Sequence, residues 1–152
     1  MKVVIGCLNS KYIHASLAPW CLKASVDKFC EAVIESKVLE STVNGDVIAF
    51  ADNILKENPR VVSFSCYIWN ITKTLEACKY IKENSNAIIV LGGPEVSYRA
   101  NKVLKEYDFI DHVLCGEGEF SYPALIDAIA LNGDLSGING LCYRVGEDVF
   151  IN

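Results

Sequence analysis

The chain has 152 residues, of which 51% are hydrophobic and 22% charged, and its formal net charge is −5. This length suits one domain with a sizeable core, and the apolar content excludes an intrinsically disordered chain. Acidic and basic residues are mixed along the sequence, which argues against nucleic acid as the main partner. No apolar run resembles a signal or membrane-spanning segment, so we expect a cytoplasmic protein with no membrane partner.

Strands and helices alternate along the sequence as they do in repeated βαβ units. Runs of apolar and β-branched residues predict strands at 2–8, 32–39, 61–66, 87–91 and 110–115. Apolar residues at helical spacing predict helices at 15–29, 47–56, 71–81, 96–107 and 120–131. The sequence therefore predicts an α/β fold, Rossmann-like or flavodoxin-like, doubly wound around a five-stranded parallel sheet.

The last part of the chain departs from this alternation. Residues 137–145 and 148–151 have the pattern of two short strands, joined by a turn at Gly146 and Glu147. We expect a C-terminal β-hairpin at the edge of the sheet. The predicted organisation is thus a Rossmann-like domain at 1–135 and a hairpin at 136–152, which is also consistent with the start of a further domain.

Seven cysteines are scattered along the chain. No pair has CxxC spacing, and no three lie close enough in sequence to hold an iron–sulfur cluster in a short loop. Several fall inside apolar runs, where a thiol acts as a small hydrophobe. We expect reduced, mostly buried cysteines.

Two loops after the first and third predicted strands carry candidate binding residues, since ligands of such folds bind beyond the carboxyl ends of the strands. The first loop contains Asn9, Ser10, Lys11, Tyr12 and His14. Its histidine is a candidate metal ligand or proton-transfer group, and a histidine with no special role is the alternative.

In the loop after the third strand, strand alternation places Ser63 and Ser65 on one side. Small hydroxyl side chains there allow a flat ligand to approach, and Tyr67 and Trp69 would flank it. Ordinary packing, with Asn70 capping the next helix, is the alternative.

The loops after the fourth and fifth strands are rich in glycine. Their residues are Gly92, Gly93, Pro94 and Glu95, and then Gly116, Glu117, Gly118 and Glu119. Glycines after a strand permit positive φ angles and close approach of the backbone to a ligand. A tight turn, and carboxylates that cap the next helix, are the alternatives. Because all four loops share one sheet edge, the sequence predicts a small-ligand site there.

Two motifs together resemble a known family. The segment LGGPEVS at 91–97, followed by GEGE at 116–119, resembles the N-terminal cobalamin-binding domain of cobalamin-dependent radical S-adenosylmethionine (SAM) enzymes. Proteins similar to the anaerobic magnesium-protoporphyrin IX monomethyl ester cyclase belong to this family. The opening segment LNSKYIH at 8–14, with SLAP at 16–19, is similar to a subgroup of it.

The resemblance implies cobalamin as the cofactor and assigns roles to the loops. Ser63 or Ser65 and the Gly92-Gly93 pair would line the slot for the nucleotide tail, while residues 9–14 would meet the lower face of the corrin. His14 is implied as the lower cobalt ligand, although Tyr12 stands where the family has its orienting aspartate and Leu17 where it has a glycine.

A second departure concerns catalysis. The family's barrel domain holds a [4Fe–4S] cluster through a CxxxCxxC motif, and this chain has no such spacing. The resemblance therefore implies that SAM and the cluster belong to a C-terminal radical SAM barrel of the same parent chain, which would be the partner of this domain.

Two other functions remain open from the sequence. A flavodoxin-like electron-transfer protein would bind FMN, but it needs a hydroxyl- and glycine-rich phosphate loop, which residues 9–11 match poorly. A regulatory or docking module without a ligand would instead use the apolar surface near Tyr67 and Trp69 to bind a neighbouring domain.

Overall fold

The computed structural model describes residues 1–11, 16–146 and 148–152. Its strands are β1 (Lys2–Asn9), β2 (Glu35–Thr42), β3 (Val61–Ser65), β4 (Ile88–Gly92), β5 (His112–Leu114), β6 (Leu141–Val145) and β7 (Asp148–Ile151). Its helices are α1 (Leu17–Phe29), α2 (Val47–Lys56), α3 (Ile71–Asn84), α4 (Pro94–Ser97), α5 (Ala100–Glu106) and α6 (Gly118–Leu131).

One sheet carries all of these strands, in the order β2-β1-β3-β4-β5-β6-β7. Strands β1 to β5 pair in parallel, which confirms the predicted five-stranded doubly wound sheet. The predicted hairpin is formed by β6 and β7, which extend the same sheet with antiparallel pairing. The direction of winding changes at β1, between β2 and β3, and such a switch point is where ligands bind in open α/β sheets. The domain division at residue 135 stays a prediction.

Each face of the sheet is covered by its own helices, and each face has its own apolar core. One core packs α2, α3, α4 and α5 onto the sheet, and the other packs α1 and α6. Successive residues of β1 enter opposite cores, which is why Val3, Val4 and Ile5 are all fully buried. A continuous apolar run is the sequence pattern of such a central strand.

Two predicted elements differ from the observed ones. The second strand was expected at 32–39 but begins at Glu35, because the backbone N–H groups of Glu31 and Ala32 donate to the carboxylate of Asp127 at 2.9 and 3.0 Å. The helix expected at 96–107 is interrupted at Tyr98 and Arg99, where Arg99 has φ −133° and ψ 27°.

The cysteines match the expectation from their sequence context. All seven are free thiols, and Cys7, Cys66, Cys78 and Cys142 are buried. Burial raises the pKa of Cys66 to about 12, so its thiol stays protonated and acts as core. Within the part of the chain that the structure describes, each helix is too short or too polar to cross a membrane.

A buried histidine makes stability depend on pH. His112 in β5 is 7% exposed, and its Nδ1 has no hydrogen-bond partner among the described residues. Burial lowers the pKa of His112 from 6.5 to about 4. The positive charge of Lys82 also lowers this pKa, whereas the negative charge of Asp111 raises it. The unfolded chain takes up a proton first as the pH falls below about 6.5, so the folded state loses stability between pH 6.5 and 4.

We expect that loss to be about 3 kcal/mol, because each unit of pKa difference corresponds to about 1.4 kcal/mol. Urea unfolding of the wild type and of His112→Leu at several pH values measures it. The difference in unfolding free energy between the two proteins should shift by this amount across the window. A difference in unfolding free energy that stays constant from pH 6.5 to 4 would contradict a neutral, buried His112.

Candidate functional site

A cavity of about 260 Å³ opens at the carboxyl ends of β3, β4 and β5, and we call it the β3–β5 cavity. The ends of these strands and the segments that follow them contribute Ser63, Ser65, Tyr67, Gly92, Gly93, Pro94, Gly116, Glu117, Gly118 and Glu119 to its lining. Helix α1 adds Ala18 and Leu22, and α6 adds Tyr122. The structure thus brings three of the four predicted loops to one cavity.

The two serines of β3 face the same cavity but differ in their hydrogen bonding. The Ser63 hydroxyl lies 2.7 Å from the phenol oxygen of Tyr122, and both side chains are buried. Ser65 lines the cavity as well, and within the described ranges its hydroxyl has no hydrogen-bond partner. Ser65 is therefore the serine whose side chain is available to a ligand.

The glycines of the site have two different structural reasons. Gly93 has φ 96°, and a Cβ there would lie 2.6 Å from the carbonyl oxygen of Cys66, so this glycine lets the loops after β3 and β4 touch. A Cβ on Gly116 would meet nothing within 4 Å, although its φ of 83° also favours glycine, and a Cβ on Gly92 would meet only the Leu114 carbonyl at 3.4 Å. Open space beside these two backbones fits a flat group that approaches closely.

The carboxylates near the cavity do not act as the predicted helix caps. Glu117 is the N-cap residue of α6 but makes no side-chain cap hydrogen bond, and Glu119 lies in the first turn. Both line the β3–β5 cavity. Glu95, also predicted as a binding residue, lies outside that lining, and its carboxylate pairs with Arg99 at 3.3 Å.

A second cavity, of about 420 Å³, lies at the carboxyl end of β1, and we call it the β1 cavity. Its lining comprises Cys7, Leu8, Asn9, Ser10, Ser16, Tyr67, Trp69 and Asn70. The rings of Tyr67 and Trp69 stack with their centres 4.5 Å apart and 4° from parallel. Because Tyr67 lines both cavities, the two form neighbouring compartments. Lys11 is exposed beside them, and the predicted Tyr12 and His14 lie outside the described residues.

Asn70 has a role that the sequence analysis missed. It is 1% exposed, and its amide nitrogen donates to the carbonyl oxygens of Leu8 and Ser65 at 3.2 and 3.1 Å. Its Oδ1 accepts from the N–H of Tyr67 at 2.8 Å, so it makes no cap bond to α3. Asn70 joins the ends of β1 and β3 at the switch point. The signal in the sequence was a polar residue shortly after a buried strand, which also suits a helix cap.

These features define a doubly wound α/β domain with ligand cavities at the carboxyl edge of its sheet. The family model of the B12 binding domain matches residues 3–126. The chain belongs to the B12-binding domain family. This confirms the family resemblance and the expectation of cobalamin as the cofactor, and it favours cobalamin over FMN.

Curated relatives match part of the chain. TokK, a cobalamin-dependent radical SAM methyltransferase of Streptomyces tokunonensis, is 29% identical over 103 residues, or 66% of this chain and 15% of the relative. The anaerobic magnesium-protoporphyrin IX monomethyl ester cyclase of Synechocystis is 34% identical over 64 residues, or 42% of this chain and 13% of the relative. The chain spans about a fifth or less of the length of the curated relatives it matches.

Solved structures share the fold over nearly the whole chain. The cobalamin-dependent radical SAM enzyme OxsB, with aqua-cobalamin and SAM bound, aligns with a TM-score of 0.81 at 20% identity and covers 99% of this chain and 22% of its own. The radical SAM methyltransferase TsrM from Kitasatospora setae, with cobalamin and a [4Fe–4S] cluster bound, aligns with a TM-score of 0.80 at 18% identity. The alignment covers 99% of this chain and 28% of TsrM. At these identities the likeness establishes the fold.

Proposed function

We propose that this chain holds and orients the cobalamin of a radical SAM enzyme, with the nucleotide tail in the β3–β5 cavity and the corrin over the β1 cavity. The observation that carries this proposal is the Ser65 hydroxyl, which has no hydrogen-bond partner among the described residues, in a cavity bordered by Gly92 and Gly116. When bound, cobalamin supplies a cobalt centre that carries a transferable group, and the protein supplies binding and orientation.

The chain's own residues divide this work between the two cavities. Ser65 donates a hydrogen bond to the tail, and the apolar side chains of Leu22 and Val90 exclude water from it. At the mouth, the carboxylates of Glu117 and Glu119 accept hydrogen bonds from the tail's hydroxyl groups.

The corrin side is formed by the β1 loop and an aromatic pair. The stacked Tyr67 and Trp69 present a rigid apolar edge, and Trp69 is 51% exposed, which leaves ring surface for a flat ligand. The β1 cavity is also lined by Asn9 and Ser10, and the exposed Lys11 follows them in the chain. We also assign Tyr12 and His14 to the corrin side, with His14 as the lower cobalt ligand. This assignment rests on the family resemblance of the segment at 8–14.

For the reaction of the whole enzyme, we propose methyl transfer assisted by a C-terminal radical SAM barrel. The methyltransferase TokK matches 66% of this chain, whereas the porphyrin ester cyclase matches 42%. The oxidative cyclase reaction is the second candidate, supported by the LGGPEVS segment. Incubating the full-length enzyme anaerobically with cobalamin, SAM and a low-potential reductant distinguishes the two, because S-adenosylhomocysteine accompanies methyl transfer and is absent from cyclisation.

Anaerobic titration with hydroxocobalamin tests the binding role. We expect a shift in the visible spectrum and co-elution of cobalamin with the protein on gel filtration. Ser65→Ala should weaken binding about tenfold, since loss of one hydrogen bond to a buried group costs about 1.4 kcal/mol. Ser41→Ala, on the edge strand β2 and outside both cavities, is the matched control and should bind like the wild type.

An unchanged spectrum together with no retention on gel filtration would contradict the proposed function and favour the docking-module alternative. Equal affinities of Ser65→Ala and wild type would contradict the role given to Ser65 while leaving cobalamin binding intact.

A further inference from the structure

The floor of the β3–β5 cavity differs chemically from its mouth. The Glu117 and Glu119 carboxylates lie among the loop residues at the mouth, whereas Leu22, Val90 and Leu114 line the cavity between the sheet and its helices. We propose that this cavity selects among cobamides by their lower base, accepting apolar aromatic bases and discriminating against purines. This inference rests on the proposed function.

The floor offers few hydrogen-bonding groups, because its side chains are mostly apolar and two of its hydroxyls bond to each other. Ser63 and Tyr122 bond to each other at 2.7 Å, and their residues are 3% and 1% exposed. Ser65 is the remaining side-chain hydroxyl of β3 in the lining. An adenine base carries two ring nitrogens and an amino group beyond the nitrogen that a benzimidazole also has. Burying them without partners is costly, whereas the methyl groups of dimethylbenzimidazole need none.

The floor is also held in place. Gly118 allows α6 to lie against α1, because a Cβ there would approach Leu22 Cδ2 to 2.7 Å. One helical turn later, Tyr122 packs in the core with its phenol tied to Ser63. Tyr122 is thus a specificity-determining residue as well as a core residue.

Dissociation constants of four corrinoids test the inference, each read from quenching of tryptophan fluorescence. The probes are cobalamin, p-cresolylcobamide, adeninylcobamide and cobinamide, which has no nucleotide tail. We expect cobalamin and p-cresolylcobamide to bind within about threefold of each other, and adeninylcobamide at least tenfold more weakly, since two or more unpaired polar groups are buried with it. Cobinamide should be weaker than cobalamin.

Two variants test whether the Ser63–Tyr122 pair sets the selectivity. Tyr122→Phe and Ser63→Ala each release the other partner's hydroxyl for a purine nitrogen. The ratio of the adeninylcobamide and cobalamin constants should fall to about threefold in either variant, with far-UV circular dichroism confirming the fold. Tyr80→Phe, whose phenol bonds to Asp52 on the opposite face of the sheet, is the control and should keep the wild-type ratio.

The outcomes separate the inference from the proposed function. Equal binding of adeninylcobamide and cobalamin, or of cobinamide and cobalamin, would overturn the selectivity and leave cobalamin binding in place. No binding of any of the four corrinoids would overturn both. An unchanged ratio in both folded variants would overturn the role of the Ser63–Tyr122 pair.

Discussion

Replacing Gly93 by alanine is expected to lower the free energy of unfolding by about 3 kcal/mol and to abolish tight cobalamin binding. Gly93 has φ 96° and ψ 168°, a conformation open almost only to glycine. An added Cβ would lie 2.6 Å from the carbonyl oxygen of Cys66 and 2.8 Å from its nitrogen. Both are backbone atoms, so no side-chain rotation relieves the clash.

The same contact connects stability to the site. The Cys66 N–H donates to the Gly92 carbonyl at 2.7 Å, and the Glu95 N–H donates to the Cys66 carbonyl at 3.2 Å. These bonds join the ends of β3 and β4 directly beside Ser65 and Gly92, which line the β3–β5 cavity. Separating the loops therefore loosens the cavity together with the sheet edge.

Urea unfolding followed by circular dichroism measures the effect of Gly93→Ala. Gly137→Ala is the control, because a Cβ there meets nothing within 4 Å, and we expect it to change stability by less than about 0.5 kcal/mol. Equal stability of the two variants would contradict the close approach of Gly93 to the Cys66 backbone.

Replacing Asn70 by aspartate is expected to cost about 3 kcal/mol at pH 7. The substitution keeps the size of the side chain and its acceptor for the Tyr67 N–H. It removes the two donors to the carbonyls of Leu8 and Ser65 and places a buried negative charge against both oxygens. Because Asn70 holds the ends of β1 and β3 together, we also expect weaker binding of hydroxocobalamin.

The cost of Asn70→Asp should shrink as the pH falls. Its buried carboxyl would have a folded-state pKa above the unfolded value of about 3.9, since only the protonated form can donate to a carbonyl. Such a group favours the folded state at low pH and loses that contribution as the pH rises through the raised pKa. Unfolding free energies of variant and wild type at pH 5 and 7 should therefore converge toward the lower pH.

Asn53→Asp is the matched control, because Asn53 is exposed on α2 and its Oδ1 already accepts from Lys56 at 2.9 Å. We expect it to leave stability nearly unchanged. A small, pH-independent effect of Asn70→Asp would show that its amide hydrogen bonds contribute little.

Local patterns in the sequence were sufficient for much of the fold and part of the site. The apolar run of β1 predicted a strand covered on both faces, and alternation along β3 placed Ser63 and Ser65 on one side, where both line the same cavity. The N-cap of α2 is equally local, since Asp46 accepts from the N–H groups of Ile48 and Ala49. These features depend on neighbouring residues, so a sequence window contains their cause.

Features that depend on distant residues were not predictable in the same way. The bond between Ser63 and Tyr122 joins residues 59 positions apart, and the bond from Asn70 to Leu8 spans 62. Nothing in the window around Ser63 distinguishes it from Ser65, although among the described residues only the Ser63 hydroxyl has a hydrogen-bond partner.

The sequence by itself determined the alternation of strands and helices, the edge of the sheet that carries the ligand loops and, through its two glycine motifs, the family. Only the tertiary structure decided that Gly93 serves the contact with Cys66, while Gly92 and Gly116 border open space. It also decided that Asn70 joins β1 to β3 and that the Tyr122 phenol forms a hydrogen bond with the Ser63 hydroxyl. The physical reason is that hydrogen bonds and van der Waals contacts act over a few ångströms in space, which the order of residues along the chain does not encode locally.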